Sequence, residues 1–500
     1  MQNEFNLKKL EFGRNDGKKE AELDDFESLY YDYNGLLHDS LDKFKFLVLG
    51  RKGTGKTLLA EMIKKKADGV DNWFCKIDNY KQFKIEELKK LKQDTYINTD
   101  EYSAVWEWVV LIEIGKIIIN KNITLDMYCE QLKDFFKTNL FRLELGSYKT
   151  IEHIAKYKIS GKLGISSSIG VSGEGNEEAK SEYGTYLDYL PSLKEVIFKI
   201  LENNKDKKIT LIYDELDLKF RDEDDYKNSI ISLIKTSNDL NDEFIKNKIS
   251  TKVMIFLRQD IFNLLNDYDL NKIKEDCSIT IDWGTNMSAM SPLVDMAINK
   301  IKNSHIIFQN KSKQEIIKLL FGKVKYQYRQ KRGKSSCNSI EPFDYILTRS
   351  FLRPRDVVTY LKKITEEYPR EQKIKGEYIK QVEAKYSEYF TKEIKNELKG
   401  HLADNEIDTI FLLLYRFSKP VFFYSELDDY LKARTDIFGN LDLKKCISLL
   451  FKFSAIGTHR YDKMRRKTFY KWCYRENNVE INFEEKIVIH HGLRKELNLY

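Results

Sequence analysis

An apolar run, Phe44 to Leu49, breaks directly into Gly50-Arg51-Lys52-Gly53-Thr54-Gly55-Lys56-Thr57, and that junction leaves the chain few folds to choose from. The spacing is G-x-x-x-x-G-K-[ST], a loop whose residue types follow from what it does to an anion. Gly50, Gly53 and Gly55 let the backbone curl until successive N–H groups point inward. Arg51, Lys52 and Thr54 fill the remaining positions of the cradle. Lys56 can reach the outer phosphates of a nucleotide, and the Thr57 hydroxyl can ligate Mg²⁺. A helix predicted from Thr57 to Lys65 turns its positive end toward the same phosphates. A strand that feeds such a loop and helix predicts an α/β protein built on a parallel sheet, with its ligand at the strand C-termini.

A second strand ends in acids. Lys208-Ile-Thr-Leu-Ile-Tyr-Asp214-Glu215 places Asp214 at the tip of what we read as the strand neighbouring the loop strand, where a carboxylate holds the Mg²⁺ shell. Glu215 follows, placed to take a proton from an attacking water, which argues for hydrolysis over binding alone. A third apolar strand, Thr251 to Arg258, ends in an arginine with two readings: a sensor of the γ-phosphate, or an ion-pair partner for Asp260. Ser278 to Trp283 closes the sheet.

More than 150 residues separate the two motifs, so something is inserted. We expect an N-terminal extension over 1–35, a P-loop core over 36–290 with an insertion at about 100–190, a helical lid over 291–395 and a winged-helix domain over 396–500. Ser103 to Leu145 reads mostly as helix. Residues 156–175 alternate apolar with small or polar positions, predicting a strand excursion with Ile159, Leu163, Ile165, Ile169 and Val171 on one face. In the lid, Arg353-Pro354-Arg355-Asp356 opens a helix whose arginines either reach back to nucleotide phosphates or form an Arg–Asp network between helices.

The last hundred residues read as three helices, Glu406 to Phe417, Ser425 to Ala433 and Leu441 to Phe453, followed by two strands around a basic turn. Between Ala455 and Arg475 stand seven basic residues and one acid, a local +6 against +7 for the whole chain. Arg460, Lys463, Arg465, Arg466, Lys467 and Lys471, interleaved with tyrosines and Phe469, suit the phosphates of duplex nucleic acid. Docking of a protein partner is the other use of such a domain.

Composition excludes several classes. Hydrophobic content of 42%, with 13% aromatic residues, is enough for packed cores. Six cysteines without a C-x-x-C and without histidine at ligand spacing exclude a disulfide scaffold and a zinc finger. No apolar run approaches the length of a membrane span, so we expect a soluble, cytoplasmic chain with no membrane partner.

With these segments the chain resembles bacterial P-loop ATPases of the AAA+ and STAND group, relatives of origin-recognition initiators and of signal-transducing NTPases. Gly50 to Thr57, Tyr213-Asp-Glu-Leu-Asp217, Phe256-Leu-Arg-Gln-Asp-Ile261, Leu352-Arg-Pro-Arg-Asp356 and Ile487-Val-Ile-His-His-Gly-Leu493 carry the resemblance. It implies ATP with Mg²⁺ as cofactors, and no guanine-reading Asn-Lys-x-Asp stands at a suitable strand end. It further implies that Arg258 matches a strand-end sensor arginine, that Arg353 and Arg355 fall where a lid meets nucleotide, and that the chain forms nucleotide-dependent homo-oligomers. A role in DNA repair or phage defence belongs to the same implication. Arg221 and Arg349 are candidates for an arginine finger without a matching motif. The competing function is an ATP-driven conformational switch with negligible turnover.

Overall fold

The structure, a computed structural model, describes residues 5–79, 99–143, 147–161, 163, 185–216, 223–329, 335–462, 464, 467–476 and 479–499. The chain divides into two compact units, Asn34–Asp282 and Met1–Tyr33 with Trp283–Tyr500.

The first of these units is organised by a five-stranded parallel sheet. Its strands are β1 (Leu47–Gly50), β2 (Trp73–Asn79), β3 (Lys208–Asp214), β4 (Thr251–Arg258) and β5 (Ser278–Ile281), in the order β2-β3-β4-β1-β5. β1, β3 and β4 are almost continuously buried, as strands covered by helices on both faces must be. The order corrects one expectation: β3 does not neighbour β1, because β4 lies between them. β4 is held to β1 in a register that sets Gly50 opposite Arg258. This is the α/β core of a P-loop NTPase.

The inserted segment supplies core. Helix Thr99–Asn120 buries Val105, Trp106, Trp108, Val109, Val110, Leu111, Ile112 and Ile114, and only Glu107 in that stretch is partly exposed. A helix buried on nearly every side needs cover all round, and helices Met127–Thr138, Ser147–Lys156, Tyr186–Asn203 and Asp224–Lys246, together with β3, provide it. Of the strand face expected around 156–175, Ile159 and Leu163 are buried, while Ile165, Ile169 and Val171 lie outside the described residues.

Lys252, at the opposite end of β4 from Arg258, donates from its Nζ to the carbonyls of Ser40 (2.8 Å) and Asp42 (2.6 Å). Burial pushes this ammonium down to about 7, against the pull of Asp42. Between that value and the ordinary 10.5 the unfolded chain holds the proton more often than the folded one. Stability is therefore expected to rise with pH across this window. Lys252→Met should flatten the rise in urea melts; an unchanged slope would assign it to other groups.

The second unit begins with the N-terminal residues. Leu7, Phe12, Phe26 and Leu29 are buried in it. The Leu7 N–H donates to Glu371 O at 2.8 Å, Glu20 accepts from Lys300 Nζ at 2.6 Å, and Tyr33 stacks on Trp283 with ring centres 4.9 Å apart. Residues 291–395 are mostly helical, as the sequence predicts, but they also carry an antiparallel hairpin, β6 (Val324–Arg329) with β7 (Ser335–Ile340). Beyond them come helices Asp404–Phe417, Tyr424–Lys432 and Leu443–Lys452. Four strands complete the region: β8 (Val421–Phe422), β9 (Ile456–Asp462), β10 (Lys467–Lys471) and β11 (Lys486–Ile489), in the order β10-β9-β11-β8. Among the described residues no helix is long and apolar enough to cross a membrane.

Candidate nucleotide site and nucleic-acid interface

The loop after β1 takes the shape its glycines permit. Gly53 (φ 81°) and Gly55 (φ 102°) both sit in the left-handed region, which a side chain at either position would strain. Thr54 is buried and donates its hydroxyl to Arg51 O at 2.8 Å, which braces the turn. Arg51 and Lys52 are half-buried. Helix Lys56–Asp68 starts at Gly55 without a side-chain cap, so the N–H groups of its first turn have no intrahelical acceptor. That end of the helix is a ready anion site. Lys56 Nζ donates to Gly50 O (2.9 Å) and Arg51 O (3.2 Å), folded into the loop that its charge would share with phosphate.

Thr57 and Asp214 lie 157 residues apart in the chain, yet the Thr57 hydroxyl donates to Asp214 Oδ2 at 2.7 Å. Two oxygen donors at that separation are what a hard cation bridging loop and strand would take. Asp214 is 2% exposed. Burial pushes its carboxyl up, while the Thr57 hydroxyl, the Glu215 N–H and the Lys56 ammonium pull it back toward the ionised form. Glu215 follows at φ 61°, a left-handed backbone that non-glycine residues seldom hold. Strain of that kind persists where the surroundings enforce it, often at a working site.

Arg258 makes a two-point ion pair with Asp260, Nε to Oδ1 at 3.0 Å and Nη2 to Oδ2 at 2.5 Å. Burial would raise the Asp260 carboxyl, but Arg258 and then Lys56 hold it below the usual range. The Lys56 charge is thus felt by Asp214 and by Asp260 alike. Arg258 therefore stands at the loop, as its register with Gly50 requires, and it is bound to an acid there.

Sequence reasoning missed a buried polar cluster one position from Asp214. β2 sets Asp78 beside Tyr213 and Asn79 beside Asp214. Asp78 accepts from the Ser147 N–H at 2.8 Å and from its hydroxyl. Burial and then Glu113 raise the Asp78 carboxyl. Glu113 pairs with Lys76 (2.5 Å) and Lys116 (2.6 Å), and Lys116 also donates to Thr150 (3.0 Å). The cluster ties β2 to helix Thr99–Asn120. Its one sequence signal was a pair of charges, Glu113 and Lys116, inside an otherwise apolar helix.

In the other unit, Arg353 is buried and bonded through Nε to Asp356 at 2.9 Å, with Glu397 at 3.4 Å from Nη1. Arg355 approaches Glu393 at 3.6 Å. An Arg–acid network between helices is present. Arg349 pairs with Glu383 at 2.8 Å and lies over the Tyr345 ring. Arg221 and Asp217 lie outside the described residues.

The hairpin β9–β10 carries Arg460 and Lys471, both exposed, on the face shared with Phe469, since Phe469 pairs with Arg460 and Lys471 with Thr458. Tyr461 and Tyr470 are exposed on the opposite face. Lys463, Arg465 and Arg466 lie outside the described residues, and of Lys467 only the backbone is described. Helix Leu443–Lys452 buries Leu443, Cys446, Ile447, Leu450 and Phe451 and turns Lys444, Lys445 and Lys452 to solvent. That basic face was legible as helical spacing but had been obscured by the apolar positions around it.

Residues 310–395 match the family model described as the FunZ-associated C-terminal helical domain. Among solved structures the chain is similar to the crystal structure of Cdc6p from Pyrobaculum aerophilum, at 12% identity and a TM-score of 0.31, with 95% of this chain and 98% of that chain covered. Superposition of that size carries no weight here, and the fold rests on strand order and register. No curated protein matches the chain in sequence.

Proposed function

We propose that the chain is a Mg²⁺-dependent ATPase of the AAA+/STAND type, coupled to duplex nucleic acid through a winged helix at its C-terminal end. The hydrogen bond between Thr57 and Asp214 carries the reading, because it brings the two expected Mg²⁺ ligands together before any ion is considered. Thr57 and Asp214 would hold the cation, which when bound would neutralise charge on the outer phosphates. Lys56 leaves the Gly50 and Arg51 carbonyls to contact phosphate, the first-turn N–H groups orient it, and Glu215 accepts the proton of the attacking water. Arg258 senses the γ-phosphate by exchanging part of its bond to Asp260 for a phosphate oxygen. A pathway in DNA repair or phage defence, a cytoplasmic location and a nucleotide-dependent homo-oligomer belong to the same proposal. The competing function is a switch that binds ATP, barely turns it over and docks a protein partner. Steady-state hydrolysis measured with and without duplex DNA decides between them. DNA-stimulated turnover supports the ATPase, and negligible turnover with ATP-dependent assembly in gel filtration supports the switch.

Nucleic-acid contact makes its own prediction. Exposed Arg460, Lys471 and Lys444 lie on the hairpin and the basic helix face. Reversing all three to Glu should weaken duplex binding and reduce the salt slope by about one unit per lost phosphate contact, leaving ATP affinity unchanged. Little sequence preference is expected from the hairpin, since phosphate contacts position without reading bases. Parent-like DNA binding by the triple variant would favour protein docking at this surface.

A further inference from the structure

Within the unit that holds the C-terminal half of the chain lies a cavity of about 460 Å³ whose lining includes no residue of the phosphate loop, the strand-end acids or the basic hairpin. Its walls come from the β6–β7 hairpin, the helices around Arg349 and Glu383, and the final turn after His490. Five cationic side chains line it, Lys325, Arg349, Lys380, Arg494 and Lys495, against one carboxylate, Glu383, a difference of +4. That carboxylate is already engaged, accepting from Arg349 Nε at 2.8 Å and from the Tyr345 hydroxyl. Among the described residues, Lys325, Lys380 and Arg494 have no carboxylate within ion-pair distance. Proteins seldom gather this much like charge around a concave surface unless an anion compensates it.

The cavity is also shaped. Arg349 is fixed over the Tyr345 ring, 3.3 Å from its centre, and bonds to the Tyr345 carbonyl and the Thr348 hydroxyl. Arg494 is anchored by Nε to Ile489 O at 3.2 Å. Val324 and Ile340 give an apolar wall, and Tyr326, 40% exposed, offers a ring at the rim. Burial, then Arg494, Arg349 and Arg475, push the His491 imidazole down to about 3 even though part of that residue reaches solvent.

We propose that this cavity is a second binding site, separate from the phosphate loop and independent of Mg²⁺, for a phosphorylated small molecule of nucleotide size. The volume falls in the range of small-molecule sites. An excess of four positive charges suits more than one phosphate, and an apolar wall with a tyrosine at the rim suits a ring.

Isothermal titration calorimetry on the full chain carrying Lys56→Ala tests it, with inorganic pyrophosphate and ADP as probes in buffer containing chelator. One site per chain is expected for each probe. Adding Lys325→Glu and Lys380→Glu, both exposed positions, should weaken both probes by about tenfold or more without moving the melting temperature. The same pair of reversals in the parent chain makes the result independent of what Lys56→Ala does to the phosphate loop. Equal affinity in the reversed chain, or no heat from either probe, overturns the proposal. Loss of single-stranded oligonucleotide binding in the reversed chain, with pyrophosphate and ADP inert throughout, overturns it in favour of a nucleic-acid strand.

Discussion

Glu215→Gln is expected to hold ATP as the parent does and to hydrolyse it about 10²–10⁴-fold more slowly, the range that a lost general base costs. The substitution keeps size and shape at a position whose backbone is already left-handed, so no new strain enters with it. It also leaves Asp214, the Thr57 hydroxyl and the Glu215 N–H in place, so the proposed cation shell persists. Single-turnover hydrolysis beside equilibrium binding separates the two effects. Parent-like turnover would move the base elsewhere and leave Glu215 a structural turn residue.

Lys56→Ala is expected to abolish ATP binding, the larger effect of the two. The ammonium lies inside the loop on two carbonyls and is felt by both Asp214 and Asp260, so its removal takes away the charge at the centre of the site. Thermal unfolding with saturating ATP gives the readout. A ligand at a hundred times its dissociation constant stabilises the parent by about 2.7 kcal/mol, and the variant should show none of it. Lys56→Arg keeps the charge, and melting without nucleotide checks that the loop still folds. A variant stabilised by ATP as the parent is would remove the phosphate loop from the reading.

How much of this was legible depended on whether a residue's partners were local. The phosphate loop, Asp214 at a strand tip and Arg258 before Asp260 are short-range patterns, and the structure holds Thr57 against Asp214 and Arg258 against Asp260. β2 was not legible. In Trp73-Phe-Cys-Lys-Ile-Asp-Asn79, Lys76 and Asp78 look solvent-facing, yet their partners Glu113 and Ser147 come from distant segments. Missing β2 hid the width of the sheet, and the order of strands is non-local information that no window contains. The insertion misled for the opposite reason. Ser103 to Leu145 reads mostly as helix, but the burial of Thr99–Asn120 depends on four other helices, some drawn from distant segments. In the C-terminal region the three helices and the β9–β10 hairpin follow periodicity and turn composition. β11, which slips between β9 and β8, is set by pairing across the domain.

The division of the chain has a consequence during synthesis. Residues 5–33 leave the ribosome early, but the surfaces that bury Leu7, Phe12, Phe26 and Leu29 belong to a unit that resumes only at Trp283. At roughly 5–20 residues per second, some 250 residues keep those apolar side chains waiting for tens of seconds. The sheet-bearing unit lies wholly between them, and its last strand, β5, ends at Ile281, just before the second unit resumes. A nascent chain stalled once β5 has cleared the ribosome should therefore present a folded P-loop core beside apolar side chains that still lack their partners, the form in which a holding chaperone would meet it.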